Sequence, residues 1–286
     1  MSTCHVCFRH CEIEEGQLGF CGARTCEGGR ITAAANYGLV TALALDPIEK
    51  KPLRNFHPGS MILSVGSYGC NLRCPFCQNN SISWSEEVPE IARHCQQVTP
   101  EELAQAAEQL KPRGNIGIAF TYNEPLVGYE FVRDTAKLVR EMGMKNVLVT
   151  NGTAEPEVLE ELLPWIDAMN IDLKGFDPEW YRKIGGSLEQ AMQFIEMAAK
   201  HCHVELTTLI IPGENDQSEM MEEEASWIAG LTDKSGQVIG RRIPLHITRF
   251  FPQFHMTDRP PTDVGRIYEL ADIAAQKLDY VYPGNC

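Results

Sequence analysis

Residues 61–77 read Met61-Ile-Leu-Ser-Val-Gly-Ser-Tyr-Gly-Cys70-Asn-Leu-Arg-Cys74-Pro-Phe-Cys77. The first half is a short apolar run ended by Gly66 and Ser67, the pattern of a buried strand. Three cysteines at x3 and x2 spacing follow it, so their thiols belong to the loop at that strand's carboxyl end. Closely spaced thiolates on one loop are the usual support of a cubane iron–sulfur cluster, which ordinarily takes four cysteines. Three ligands leave one iron open to a small molecule, by the logic that separates catalytic from structural zinc sites. The competing reading is a zinc site completed by Cys95 or His94.

Downstream, strand patterns at 115–120, 146–150, 169–173, 204–211, 244–248 and, weakly, 280–282 alternate with helical stretches. The first helix is marked best. Thr99, Pro100 and Glu102 form a capping box with proline at the first helical position, and Leu103, Ala106, Ala107 and Leu110 recur on one face. Further helices are expected at 128–142, 155–163, 188–201, 218–229 and 262–278. Such alternation gives a parallel sheet through right-handed crossovers. Six or so units fall short of a closed eightfold ring, so the expected fold is α/β, a partial (β/α)6 barrel over residues 60–286. Its reactive groups belong at the carboxyl ends of the strands. Residues 1–59 are expected as a cysteine-rich metal-binding segment and linker: residues 1–30 are too polar to make a core without metal, 30–46 read as one or two short strands broken at Gly38, and 50–59 read as the linker.

The spacing Cys-x3-Cys-x2-Cys, with Phe76 before the last cysteine, is similar to the signature of the radical S-adenosylmethionine (SAM) superfamily. In that reading the amino and carboxylate groups of SAM chelate the open iron on Cys70, Cys74 and Cys77. Thr121-Tyr122-Asn123-Glu124-Pro125 ends the second strand and resembles the Gly-Gly-Glu-Pro segment of many radical SAM proteins, with Tyr122-Asn123 replacing the glycines. Asn123 and Glu124 are therefore candidates for the SAM amino group, against a turn organised by Asn and Pro. Thr150 and Asn151 end the third strand and Asp172 and Lys174 the fourth; they suit ribose hydroxyls and, for Lys174, the cofactor carboxylate, while capping or a surface ion pair explains them equally. His246, on the strand at 244–248, is a further cofactor candidate beside Arg249, although a lone histidine is more often a satisfied core group. Ile210 and Ile211 suit either the nucleoside or plain packing.

Cys4-x2-Cys7-x3-Cys11, nine residues and Cys21 supply four thiolates for zinc or an auxiliary iron–sulfur cluster, between which sequence does not choose. Cys26 is a spare, and His5 and His10 are alternative ligands. The chain has 286 residues, 43% of them hydrophobic, with eleven cysteines and a formal charge of −14. An acidic chain disfavours nucleic acid, whose affinity comes from Lys and Arg. No apolar run reaches the roughly 20 residues that cross a bilayer, and no signal peptide is apparent, so no membrane partner and a cytoplasmic location are expected. In that compartment cysteines serve metals more often than disulfides.

Taken end to end, the chain resembles radical SAM proteins of the AmmeMemoRadiSam type, relatives of pyruvate formate-lyase activating enzymes. The likeness is carried by CHVCFRHC, GFCGAR, DPIEKKPL, GCNLRCPFCQN, FTYNEP, TNG, NIDLKG, LIIPGEND and HITRFFP. It implies a 4Fe-4S cluster, SAM, a reducing partner such as flavodoxin or ferredoxin, and cleavage of SAM to methionine and a 5′-deoxyadenosyl radical that takes hydrogen from a protein or small-molecule substrate. Activation of a glycyl-radical enzyme is the most specific version, RNA modification a second, and a non-catalytic metal-binding interaction protein the reading from another class. Family members commonly continue past Tyr-x-Gly-Asn into a further cysteine pair; here Cys286 stands at that point, as its remnant or as an active-site thiol.

Overall fold

The computed structural model describes residues 1–33, 35–84 and 88–286. Its frame is one sheet of eight strands: β1 (Ala42–Pro47), β2 (Met61–Gly66), β3 (Asn115–Phe120), β4 (Lys145–Thr150), β5 (Ala168–Asp172), β6 (His203–Ile210), β7 (Leu245–Arg249) and β8 (Val281–Gly284). They lie side by side in chain order. β2 to β8 run parallel, and β1 is antiparallel to β2. Helices α1 (Pro100–Gln109), α2 (Tyr129–Glu141), α3 (Pro156–Leu162), α4 (Pro178–Lys183), α5 (Leu188–Ala199), α6 (Ser218–Ala229) and α7 (Val264–Ala275) supply the crossovers. All the strands expected after residue 60 are present, and so is the Thr99 capping box. α4 escapes a periodicity reading because six residues are too few; Asp177 starts it by accepting from the Glu179 and Trp180 amides.

Asparagines at strand starts lock the frame. Asn115 Oδ1 accepts from the Leu63 amide at 2.8 Å where the β2–β3 register shifts, and its Nδ2 donates to the Ala107 carbonyl of α1. Asn146 likewise ties β4 to the Ala136 and Trp165 carbonyls. Each buried amide nitrogen thereby joins a strand to a helix or loop, although the buried Asn146 Oδ1 has no hydrogen-bond partner.

The stretch expected as a linker is packed instead. Ile48 and Leu53 are fully buried against Ile62, Ala119, Val147 and Ala168, at the amino ends of the parallel strands. Hydrogen bonds fasten this strap, since Glu205 accepts from the Arg54 and Asn55 amides at 2.9 and 2.7 Å. The stretch before it also yields more strand than expected, because β1 pairs with β2 along its whole length. Residues on both sides of position 59 thus share one sheet.

One buried carboxyl carries a cost. Glu224 of α6 faces the sheet, 1% exposed, and accepts from the Thr208 hydroxyl at 2.5 Å. Burial pushes its pKa up to about 8 from 4.5, with Thr208 only partly opposing. The folded chain therefore binds an extra proton between those values, and stability falls as pH rises through that window, by on the order of a few kcal/mol. Glu224→Gln keeps a group able to bond Thr208 and removes the titration. Its melting temperature is expected to exceed the parent's by several degrees more at pH 8.5 than at pH 5; an equal difference at both pH values would refute this account.

Candidate active site

The three-cysteine loop, residues 69–77, leaves β2 at the carboxyl mouth of the sheet. Cys74 is buried and Cys70 and Cys77 are half-buried. Burial pushes the Cys74 thiol up to about 12 and raises Cys70 and Cys77 as well, each further raised by neighbouring acidic or thiol groups. Lys174 opposes this at Cys74 and Cys77. Buried thiols so close together ionise when a cation arrives to share them, which is the donor chemistry of a metal–sulfur centre.

The loop is held from several directions. The Gly69 carbonyl accepts from the Glu124 amide at 3.2 Å and from Asn123 Nδ2 at 3.1 Å. Asn123 Oδ1 in turn accepts from the Ser67 amide. Arg73 donates to the Cys70 and Leu72 carbonyls within the loop. From the far side, the segment after β7 donates through Gln253 to the Phe76 carbonyl and through the His255 amide to the Pro75 carbonyl.

Glu124 sits behind Cys70, 3% exposed. It accepts from the Thr150 hydroxyl at 2.7 Å, the Asn151 amide at 2.8 Å and the Leu126 amide at 3.1 Å. Burial outweighs these donors and pushes its pKa up to about 7. Asn151 reaches across to Asn71 Oδ1 at 2.9 Å and to Cys70 Sγ at 3.8 Å. Lys174 Nζ lies 2.8 Å from Asp172 Oδ2. Burial works against its charge, but Asp172 and the Cys74 thiol raise its pKa overall. The Lys174 carbonyl is fixed by Trp180 Nε1 and Asn215 Nδ2, and Trp180 stacks on Phe76 at 5.9 Å.

The strand ends therefore gather Asn123, Glu124, Thr150, Asn151, Asp172 and Lys174 around the cysteine loop. Thr150 serves by holding Glu124, so its hydroxyl is already committed. His246 is held elsewhere: its Nε2 lies 2.7 Å from Glu205 Oε2, on the carboxylate that fastens the strap. Burial would raise the Glu205 pKa, but His203, His246 and two backbone amides hold it at about 2. That contact ties this β7 side chain to the carboxylate that holds the strap. Ile210 and Ile211 are wholly buried in the core.

Three groups at the mouth were not singled out from sequence. Asn71 joins Asn151 and Thr153 to the loop. Tyr122 has φ +75, the left-handed region that favours glycine, at one of the positions where the resembling segment carries glycine. Its hydroxyl donates to Asp46 at 3.0 Å, and Asp46 also pairs with buried Lys51 at 3.0 Å. Gly69 has φ +94, and a Cβ there would stand 2.5 Å from the Cys21 carbonyl oxygen. Gly69, directly before Cys70, was the available signal.

The amino-terminal cysteines gather beside this loop. Burial raises the Cys4, Cys7 and Cys21 thiols; Cys11 adds to this at Cys4, Cys21 and Cys4 add at Cys7, where Asn71 opposes, and Cys4 and Cys11 add at Cys21. Cys26 stands apart, pairing in its own hairpin and facing Glu15. Among the described residues no three His, Cys, Asp or Glu side chains stand at the spacing of a single bound metal ion.

A parallel α/β sheet with its reactive side chains gathered at the carboxyl mouth and three thiols on its first βα loop defines an α/β-barrel enzyme class. The chain belongs to the radical SAM superfamily, which it matches over residues 64–225. It is 41% identical to an uncharacterized protein of Methanocaldococcus jannaschii, over 99% of this chain and 80% of that one. It is 27% identical to the pyruvate formate-lyase-activating enzyme of Clostridium pasteurianum, over 57% of this chain and 67% of that one. Among solved structures, SuiB of Streptococcus suis bound to S-adenosylmethionine matches with a TM-score of 0.57 at 12% identity, covering 77% of this chain and 48% of that one, a likeness of fold. Membership implies a 4Fe-4S cluster and SAM as cofactors. No helix among the described residues is long and apolar enough to cross a membrane.

Gly69→Ala tests the loop geometry. Left-handed backbone and the Cys21 carbonyl both oppose the methyl group, a cost on the order of 2 kcal/mol or more. A melting temperature lowered by several degrees and less than about half the parent's iron after anaerobic reconstitution are expected. Normal stability with full iron loading would show that the close approach is not needed.

Proposed function

We propose that this chain cleaves SAM reductively at a 4Fe-4S cluster held by Cys70, Cys74 and Cys77 and uses the resulting radical to take a hydrogen atom from a protein or small-molecule substrate. The observation that carries the reading is the convergence of the three-thiol loop with Asn123, Glu124, Asn151, Asp172 and Lys174 at one mouth. Cys70, Cys74 and Cys77 would hold the cluster, which would supply one-electron reduction of SAM, the electron coming from a reductant of the flavodoxin or ferredoxin class and the products being methionine and a 5′-deoxyadenosyl radical.

The protein's part is binding and orientation. Lys174 offers a cation to the SAM carboxylate, and its own backbone is immobilised by Trp180 and Asn215. Glu124 and Asn123 offer acceptors for the SAM ammonium, and an arriving positive charge compensates a carboxylate that burial has left short of one. Thr150 and Asn151 keep that carboxylate oriented. The likeness to an activating enzyme favours a protein substrate in the finer version of this reading, and the formal charge of −14 speaks against RNA.

Anaerobic reduction in the presence of SAM is expected to release 5′-deoxyadenosine from the parent chain and none from Cys74→Ala. Equal release from both, or none from a parent fully loaded with iron, would overturn the proposal. Lys174→Ala should keep its iron and weaken SAM binding by roughly tenfold, equivalent to about 1.4 kcal/mol. Unchanged SAM affinity would remove Lys174 from the binding site.

A further inference from the structure

We propose that Tyr122 is a positioning residue for SAM binding: its left-handed turn aims Asn123 and Glu124 at the cysteine loop, and the Asp46–Lys51 ion pair acts on the cofactor site through its phenol. The link to SAM rests on the proposed role of Asn123 and Glu124; the turn and its anchor stand without that role.

The chain reverses over three residues at this point. The Thr121 amide donates to the Val65 carbonyl at 2.9 Å, and the Asn123 amide donates back to the Thr121 carbonyl at 3.1 Å. A hydrogen bond closed over three residues with φ +75 at the centre is the rare, strained form of γ-turn. Its product is direction. Asn123 comes back against the end of β2, where its Oδ1 accepts from the Ser67 amide at 3.0 Å and its Nδ2 donates to the Gly69 carbonyl at 3.1 Å. The Glu124 amide donates to that same carbonyl at 3.2 Å. Tyr122 at an ordinary negative φ would send the chain elsewhere and break this grip.

A bulky residue keeps such a backbone only where its surroundings over-determine it, and here four segments do so. From β1, Asp46 Oδ2 accepts from the Tyr122 hydroxyl at 3.0 Å; from the strap, Lys51 Nζ pairs with the same oxygen at 3.0 Å and stands 4.7 Å from the ring centroid. From β2, Gly66 lies under the ring, where a Cβ would stand 2.7 Å from Tyr122 Cδ2. From the segment after Cys77, Asn79 Nδ2 donates to the Tyr122 carbonyl at 2.8 Å. The Lys51 and Asp46 side chains are 4% and 13% exposed, so the phenol is tied to a fixed point rather than to a mobile surface charge.

The competing reading is that the phenol merely serves the carboxylate. Asp46 already has Lys51 and, at its other oxygen, Lys50 at 3.3 Å, so its burial does not depend on Tyr122. The dependence runs the other way, from the strained tyrosine to its anchor. Glycine at position 122 would need no anchor, because left-handed backbone meets no steric penalty without a Cβ. The ion pair and the bare backbone of Gly66 therefore matter to the cofactor site only while a tyrosine occupies position 122.

The test reads two quantities on the full, iron-loaded chain: equilibrium SAM affinity, and amide hydrogen exchange over residues 67–70 and 121–126 without SAM. Tyr122→Phe, which keeps the ring and the ion pair, is expected to weaken SAM binding roughly fivefold and to speed exchange by a similar factor. Asp46→Ala and Gly66→Ala are each expected to do the same in the tyrosine chain, and to change neither quantity by more than about twofold once Tyr122→Gly is also present. Gly66→Ala leaves the ion pair intact, so the cycle remains decisive where Asp46→Ala fails to fold. Equal effects with and without Tyr122→Gly, or a Tyr122→Phe chain indistinguishable from the parent, would overturn the proposal. A parent chain that binds no SAM would refute the roles given to Asn123 and Glu124, while the exchange cycle would still decide the anchor, so the two readings fall separately.

Discussion

A carboxylate buried at the mouth of the sheet holds the site together. Glu124 takes hydrogen bonds from the end of β4 and from its own following turn, while its amide grips the Gly69 carbonyl. A carboxylate is expensive to remove from water, and three donors at hydrogen-bond distance are what make the burial tolerable. The consequence is geometric. The ends of β2, β3 and β4 cannot move independently, so the cysteine loop inherits the rigidity of the sheet.

A second buried carboxylate does the equivalent work at the opposite end. Glu205 binds the strap amides and two histidines, and the strap then fills the barrel floor with Ile48 and Leu53. Between the strap and the mouth, Lys51 pairs with Asp46, which accepts from the Tyr122 hydroxyl. Burial would raise the Asp46 pKa, but Lys51 and hydroxyl donors hold it at about 2, so the pair stays ionised and anchors the Tyr122 ring. That anchoring helps a residue other than glycine to keep the left-handed conformation at the entrance to the Asn123-Glu124 turn.

The segment before the sheet has a different physical basis. It has little apolar material of its own, and its hairpins are two or three residues long. What fixes its position is contact with the barrel: arginines to loop carbonyls, and backbone against Gly69. A short polar segment of this kind gains order from its neighbours and from ligands rather than from a core.

Sequence alone determined the repeating strand–helix order, the Thr99 helix start and the place of the three-cysteine loop. These are local or periodic properties, set by side-chain spacing and capping groups within a few residues of one another. It also brought out Asn123, Glu124, Asn151, Asp172 and Lys174, because each stands just past a strand end. Only the tertiary structure decided what each does: Thr150 is spent on Glu124, His246 on Glu205, and the supposed linker seals the floor. Those outcomes depend on hydrogen bonds between residues 26, 41 and 150 or more positions apart, and no local pattern encodes which distant partner a buried polar group will find.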